Sequence, residues 1–154
     1  MRSWPKAENR SIVYEPVVQT KDDRKLEVNV IFTTTRGTLA ALRAAQDLAR
    51  ELDAQTLLLV PQVVPLQFSF SSPPVSIAFT ERRAYAMAKE SQKEVDISVQ
   101  VYLCADKRKC LLKVLKPQSL VLIGGRRRWW PAPEQYLAKI LRANGHRVIF
   151  VNGE

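Results

Sequence analysis

Val28-Asn29-Val30-Ile31-Phe32 is a β-branched run, and Thr33-Thr34-Thr35-Arg36-Gly37-Thr38 follows it directly. Next come Leu42, Ala45, Ala49 and Leu52 at spacings of three, four and three, which puts them on one face of a helix from about Thr38 to Leu52. A short apolar run followed by a helical period is the unit of a strand-helix alternation. Four more such runs follow: Thr56 to Val60, Ile97 to Leu103, Leu120 to Ile123 and Val148 to Val151. Apart from the leading Thr56, three of the five are continuously apolar, as strands covered on both faces must be.

The segments between the runs read as helices. One is predicted from Glu81 to about Glu94, with Thr80 as its N-cap. Another spans Lys107 to Lys116, burying Leu111, Leu112 and Leu115 and stopping before Pro117. A third has Pro133 in its first turn, a stripe of Leu137, Ile140 and Leu141, and a left-handed stop at Asn144-Gly145. Crossovers of this length imply parallel strands with right-handed connections, hence a doubly wound α/β sheet.

Outside this alternation the chain is less regular. Residues 1 to 25 read as an N-terminal arm in which Ser11-Ile12-Val13-Tyr14 is an edge-strand candidate, and residues 26 to 154 form the domain proper. Pro61 to Phe79 reads as a long connection with Phe68 and Phe70 exposed, a length at which loops are commonly functional. With 154 residues and 46% hydrophobic composition, a single hydrophobic core suffices without staples. Two cysteines and one histidine exclude a zinc ribbon or a disulfide scaffold, so no metal is expected. No apolar run approaches the ~20 residues of a membrane span, and Met1 to Lys6 does not resemble a signal peptide. The expected location is the cytoplasm.

Charge is distributed unevenly. Residues 1 to 100 hold 13 Lys+Arg and 12 Asp+Glu, whereas residues 101 to 154 hold 11 and 3. The last third therefore carries nearly all of the net +9, a pattern that fits either an anionic partner or a solvated basic surface. In an open α/β sheet, ligands bind outside the carboxyl ends of the strands where strand order reverses. There the chain offers the hydroxyls of Thr33 to Thr38, and Gly124-Gly125-Arg126-Arg127-Arg128 followed by Trp129-Trp130-Pro131. Glycines admit close approach of phosphates, and guanidinium groups bind them through charge-assisted bonds.

The strand-helix order, Ala41-Leu42-Arg43-Ala44-Ala45, Ser119-Leu120-Val121-Leu122-Ile123-Gly124-Gly125, and Leu141-Arg142 followed by Val148-Ile149-Phe150-Val151 together resemble the universal stress protein family. The resemblance covers about residues 26 to 152. It implies a five-stranded parallel sheet of order 3-2-1-4-5, Rossmann-like, and a homodimer through Val148, Ile149, Phe150 and Val151. Nucleotide-binding members carry an Asp at the position of Thr33 and a loop of Gly, two residues, Gly, nine residues, then Gly and Ser or Thr. Gly124 matches the first glycine, but Arg127 occupies the second position and Glu134-Gln135 the closing pair. Val60 matches a position that lies near the adenine in nucleotide-binding members, and core packing is the preferred reading of it here.

The departures place a carboxylate near the would-be phosphate, and Pro131 and Pro133 withdraw N–H donors. What they imply is a non-enzymatic regulatory or interaction protein with a degenerate nucleotide site and no cofactor. One alternative is ATP or AMP binding rescued by the three arginines. Another is binding of nucleic acid or an anionic surface through the basic last third. Lys107-Arg108-Lys109 with Lys113 and Lys116 is expected to be a solvated helix face. Cys104, Cys110 and His146 are too scattered for a Cys-His nucleophile, and no carboxylate pair is set up for acid-base catalysis.

Overall fold

The computed structural model describes the backbone of residues 11–14 and residues 26–91, 97–126 and 132–153 in full. The strands are β1 (Ser11–Tyr14), β2 (Glu27–Ile31), β3 (Gln55–Val63), β4 (Ile97–Cys104), β5 (Leu120–Gly125) and β6 (Arg147–Asn152). The helices are α1 (Thr35–Leu52), α2 (Ile77–Ser91), α3 (Lys107–Val114) and α4 (Pro133–Ala143). The sheet order is β1-β4-β3-β2-β5-β6. Strands β2 to β6 are all parallel and, counted from β2, run in the expected order 3-2-1-4-5. β1 is added antiparallel on the outer edge of β4, with Ser11 opposite Cys104 and Tyr14 opposite Val101. The arm's edge-strand candidate is thus a strand, and the rest of the arm lies outside the described residues.

Two cores sandwich the sheet. Val28, Val30, Leu58, Val60, Val99 and Val101 face α1 and α2, which meet them with Ala41, Leu42, Ala45, Ala49, Ala84 and Ala88. Ile31, Leu57, Leu59, Val121 and Ile123 face α3 and α4, which bring Leu111, Leu115, Leu137 and Leu141. Alternate residues of one strand feed opposite cores, which is why the central runs are apolar throughout.

Several element ends differ from expectation. α1 begins at Thr35 because the Thr34 hydroxyl accepts the Gly37 N–H at 3.0 Å, one turn earlier than the apolar stripe indicates. Leu52, placed in the stripe by its spacing, is 44% exposed in the last turn. β3 runs through Pro61 to Val63, where β2 no longer pairs with it, so the missing proline N–H faces no partner strand. The connection is shorter still because α2 starts at Ile77. Ser76 Oγ accepts the Phe79 N–H, and Thr80 is a first-turn residue, not the cap. The expected end of that helix at Glu94 lies outside the described residues. In the connection Phe68 is exposed, whereas Phe70 is half-buried. α3 ends at Val114, with Leu115 as C-cap, short of Lys116, and Leu112 is only half-buried. α4 stops as predicted, Gly145 adopting φ +90°.

Candidate functional site

The strand order reverses between β2 and β5, so the crevice expected to hold a ligand opens above Ile31 and Ile123. At its base the chain packs tightly on itself. Thr33 Oγ1 donates to the Gly124 carbonyl at 2.7 Å, and the Thr33 N–H donates to Thr38 Oγ1 at 3.0 Å. Gly124 and Gly125 are not a turn but the last two residues of β5, paired with Val151 and Asn152. A Cβ on Gly124 would collide with the Gly37 carbonyl oxygen, and one on Gly37 would stand 2.5 Å from the Gly124 oxygen. Gly153 joins them, since its Cβ would lie 2.8 Å from Gly37 Cα. These glycines admit another stretch of backbone, and the first turn of α1 rests on the ends of β5 and β6.

Of the other residues expected at the site, Val60 is 4% exposed and belongs to the core under α1 and α2. Arg126 is exposed, and Arg127, Arg128, Trp129 and Trp130 lie outside the described residues. Glu134 is where its position in the chain put it. Its side chain packs against Gly125, within 3.2 Å of where a Cβ would be. The sequence placed Thr33 to Thr38 beside Gly124-Gly125 and the Glu134 carboxylate near them; that Thr33 would donate to the Gly124 carbonyl, and that Gly37 would pack on Gly124, it did not show.

On the other side of β2, facing α3, stands a lysine that the sequence reading left on the solvated face. Lys107 Nζ reaches the Phe32 carbonyl at 3.5 Å, and burial pushes its pKa down despite the Glu134 carboxylate nearby. It turns inward because the Asp106 carboxylate, accepting from the Arg108 and Lys109 N–H groups, starts α3 with Lys107 toward the sheet. Across the strand, Arg83 lies over the Phe32 ring at 5.5 Å and its Nη2 donates to Thr35 Oγ1 at 3.3 Å.

Lys107 lines a cavity of about 490 Å³ between the first turns of α3 and α4, together with Arg108, Pro133, Glu134, Tyr136 and Leu137. Arg108 stacks over the ring of Tyr136 at 5.5 Å, and Tyr136 is 51% exposed. No local sequence signal marks this pair, because its members come from different helices. A second groove, of about 640 Å³, opens at the opposite end of the sheet beside the Lys116–Glu27 ion pair.

The cysteines are also separate from the histidine. Cys104 and Cys110 are buried and hydrogen-bonded to each other, which with desolvation holds the Cys104 thiol well above its ordinary pKa. His146 sits at the other end of the sheet, its Nδ1 accepting the Ser119 N–H at 3.2 Å and tying the start of β5 to the turn after α4. Among the described residues no group of three or more His, Cys, Asp or Glu could hold a metal ion. Among them, too, no helix is long and apolar enough to cross a membrane.

Among the described residues the basic excess lies on one layer. α3, α4 and their flanks expose Arg108, Lys109, Lys113, Lys116, Lys139, Arg142 and Arg147, against Asp106 and Glu134, both half-buried. The α1/α2 layer balances Arg36, Arg43, Arg50, Arg82, Arg83 and Lys89 with Asp47, Glu51, Asp53, Glu81 and Glu90. No protein-family model matches the chain, and no curated protein matches it either.

Proposed function

We propose that this chain is a universal stress protein-like regulatory or interaction protein, non-enzymatic, in which the ancestral type of nucleotide site has been given over to packing. The observation that carries this reading is the contact of Gly37 with Gly124 at the switch point. A phosphate needs the N–H groups and open glycine faces of that loop, and here the Gly124 face holds a backbone carbonyl and its own carbonyl holds Thr33. The Glu134 side chain against Gly125 adds like-charge repulsion to any anion there. Calorimetry with ATP and AMP is the test. The expected result is no binding tighter than about 10 μM, or roughly −7 kcal/mol, and a tighter constant overturns the reading.

The same reading includes a symmetric dimer through the last strand. β6 is the outermost strand, and Ile149 is 43% exposed on it, an apolar edge of the kind that proteins pair or cover. Light scattering at micromolar concentration is expected to give twice the chain mass. Ile149→Lys is expected to give the single mass while leaving the fold intact.

A further inference from the structure

We infer that the α3/α4 face binds single-stranded nucleic acid, with phosphates on its lysines and a base on the Arg108–Tyr136 stack. The inference rests on the reading of the chain as an interaction protein and supplies the chemistry of one partner.

The first support is electrostatic. α3 and α4 lie side by side over one core, so the residues pointing away from that core share one surface. Lys109, Lys113 and Lys139 are exposed there, and none of them has an ion-pair partner among the described residues. Exposed lysines on one face repel one another and add little to stability, but they match a chain of phosphates.

The second support is the stack. Tyr136 presents half its ring to solvent with the Arg108 guanidinium over it, at the mouth of the 490 Å³ cavity that Lys107 and Leu137 also line. A flat π surface beside cations is what an unpaired base uses, and a duplex, with its bases stacked inside, has no access to it. Glu134 at the same cavity offers an acceptor for a base N–H, such as the ring N3–H of uracil, and disfavours a phosphate there, which separates the base position from the phosphate track.

An anionic membrane fits the face less well. Interfacial binding needs an apolar stripe to insert beside the basic residues. Among the described residues the only large exposed apolar side chain on α3 or α4 is Tyr136, a single ring and not a stripe; Leu66, Phe68, Val75 and Phe79 belong to the connection that follows β3 and to α2.

The test uses the full chain and a fluorescently labelled dodecamer of uridine, with anisotropy read from 50 to 300 mM salt. Binding is expected to weaken with salt at a slope of about −0.7 per phosphate contacted. Lys109→Glu/Lys113→Glu/Lys139→Glu is expected to weaken it more than tenfold, and Arg43→Glu/Arg82→Glu/Lys89→Glu on the other layer less than threefold. Tyr136→Ala is expected to cost about tenfold with the salt slope unchanged, the signature of a lost stack. All substituted side chains are exposed, so circular dichroism is expected to be unaltered. Absence of binding at 50 mM salt, equal losses in the two triple variants, tighter binding to a duplex of the same length, or tighter binding to phosphatidylserine vesicles overturns the inference. Each of those results leaves the ATP experiment, and the reading it tests, where it stood.

Discussion

The two helical layers solve the same packing problem in opposite ways. α1 and α2 meet the sheet largely with alanines, Ala41, Ala45, Ala49, Ala84 and Ala88, and backbone touches backbone at Gly37 and Gly124. α3 and α4 meet it with leucines and a buried thiol pair, and their contact is made by side-chain tips. The charged faces differ as well, one balanced and one basic. The lesson is a division of labour. The tight layer with nearly balanced charge packs its backbone onto the switch point, while the layer built from longer side chains keeps a cavity and, among the described residues, carries the basic excess.

Gly124→Val is the most severe way to break that comparison. A side chain there meets a carbonyl oxygen of the α1 backbone, which cannot rotate away as a side-chain tip would. A loss of more than about 4 kcal/mol in urea unfolding, or no folded protein, is expected. Gly145→Ala is the control. Its Cβ meets nothing, so only the φ of +90° is strained, at a cost of about 1 kcal/mol. Similar losses at the two positions would mean that the crevice is open.

How much of this the sequence announces depends on which group answers the residue in question. The strands were legible because Leu57 to Val60 and Val121 to Ile123 are apolar on both faces, a property of the residues themselves. Gly124 was legible as a place of close approach but not as to what approaches, since a phosphate and the Gly37 carbonyl make the same demand on it. Lys107 was misplaced because solvated and inward lysines share one helical spacing, and the Asp106 cap that turns it is a local detail of the loop. Thr80 has the chemistry of a cap and stands in a first turn, yet its hydroxyl donates to Gln62 while Ser76 does the capping. The Arg108–Tyr136 stack joins two helices and left no trace in either.

On the leucine side, Leu111→Ala is expected to cost about 3 kcal/mol, because Leu111 is fully buried and the neighbouring leucines cannot close the hole. On the alanine side, Ala45→Gly removes one methyl group and some helix propensity, for about 1 to 2 kcal/mol. Chemical denaturation of both variants sharpens the contrast. Equal costs would show that the two layers are packed alike.

The thiol pair gives the same layer a pH dependence. Cys104 has a folded pKa raised above the ordinary thiol value of 9.0, first by its hydrogen bond with Cys110 and then by burial. The unfolded chain releases that proton above about pH 9 while the folded chain keeps it. The stability contribution is therefore complete below pH 9.0 and is lost as pH rises toward the folded value. Lys107 acts in the opposite sense, its depressed pKa favouring the fold as it deprotonates, so the difference from Cys104→Ala is the quantity to read. Above pH 9 the wild type is expected to lose up to about 1.4 kcal/mol per pH unit relative to that variant. Parallel stability curves would place the Cys104 thiol in an ordinary environment.

The smallest effect tests whether the tight layer is also a satisfied one. Thr56 is fully buried at the start of β3, in register with Val28 and Ile97, and it shares the parity of Leu58 and Val60 that faces α1 and α2. Among the described residues its hydroxyl has no hydrogen-bond partner, unlike the buried Asn29 amide, which donates to the Leu120 carbonyl at 3.1 Å, or Gln46, which bridges to Ser91 at 2.8 Å. A buried donor without an acceptor costs free energy that a methyl group of the same shape does not. Thr56→Val is therefore expected to raise stability by about 1 kcal/mol, seen as a higher urea midpoint with an unchanged slope. Asn29→Leu, of similar size but with a partner to abandon, is expected to lower it. A loss in Thr56→Val would mean that the alanine layer leaves room for a water on that hydroxyl, and the contrast between a closed layer and an open one would then rest on the glycines alone.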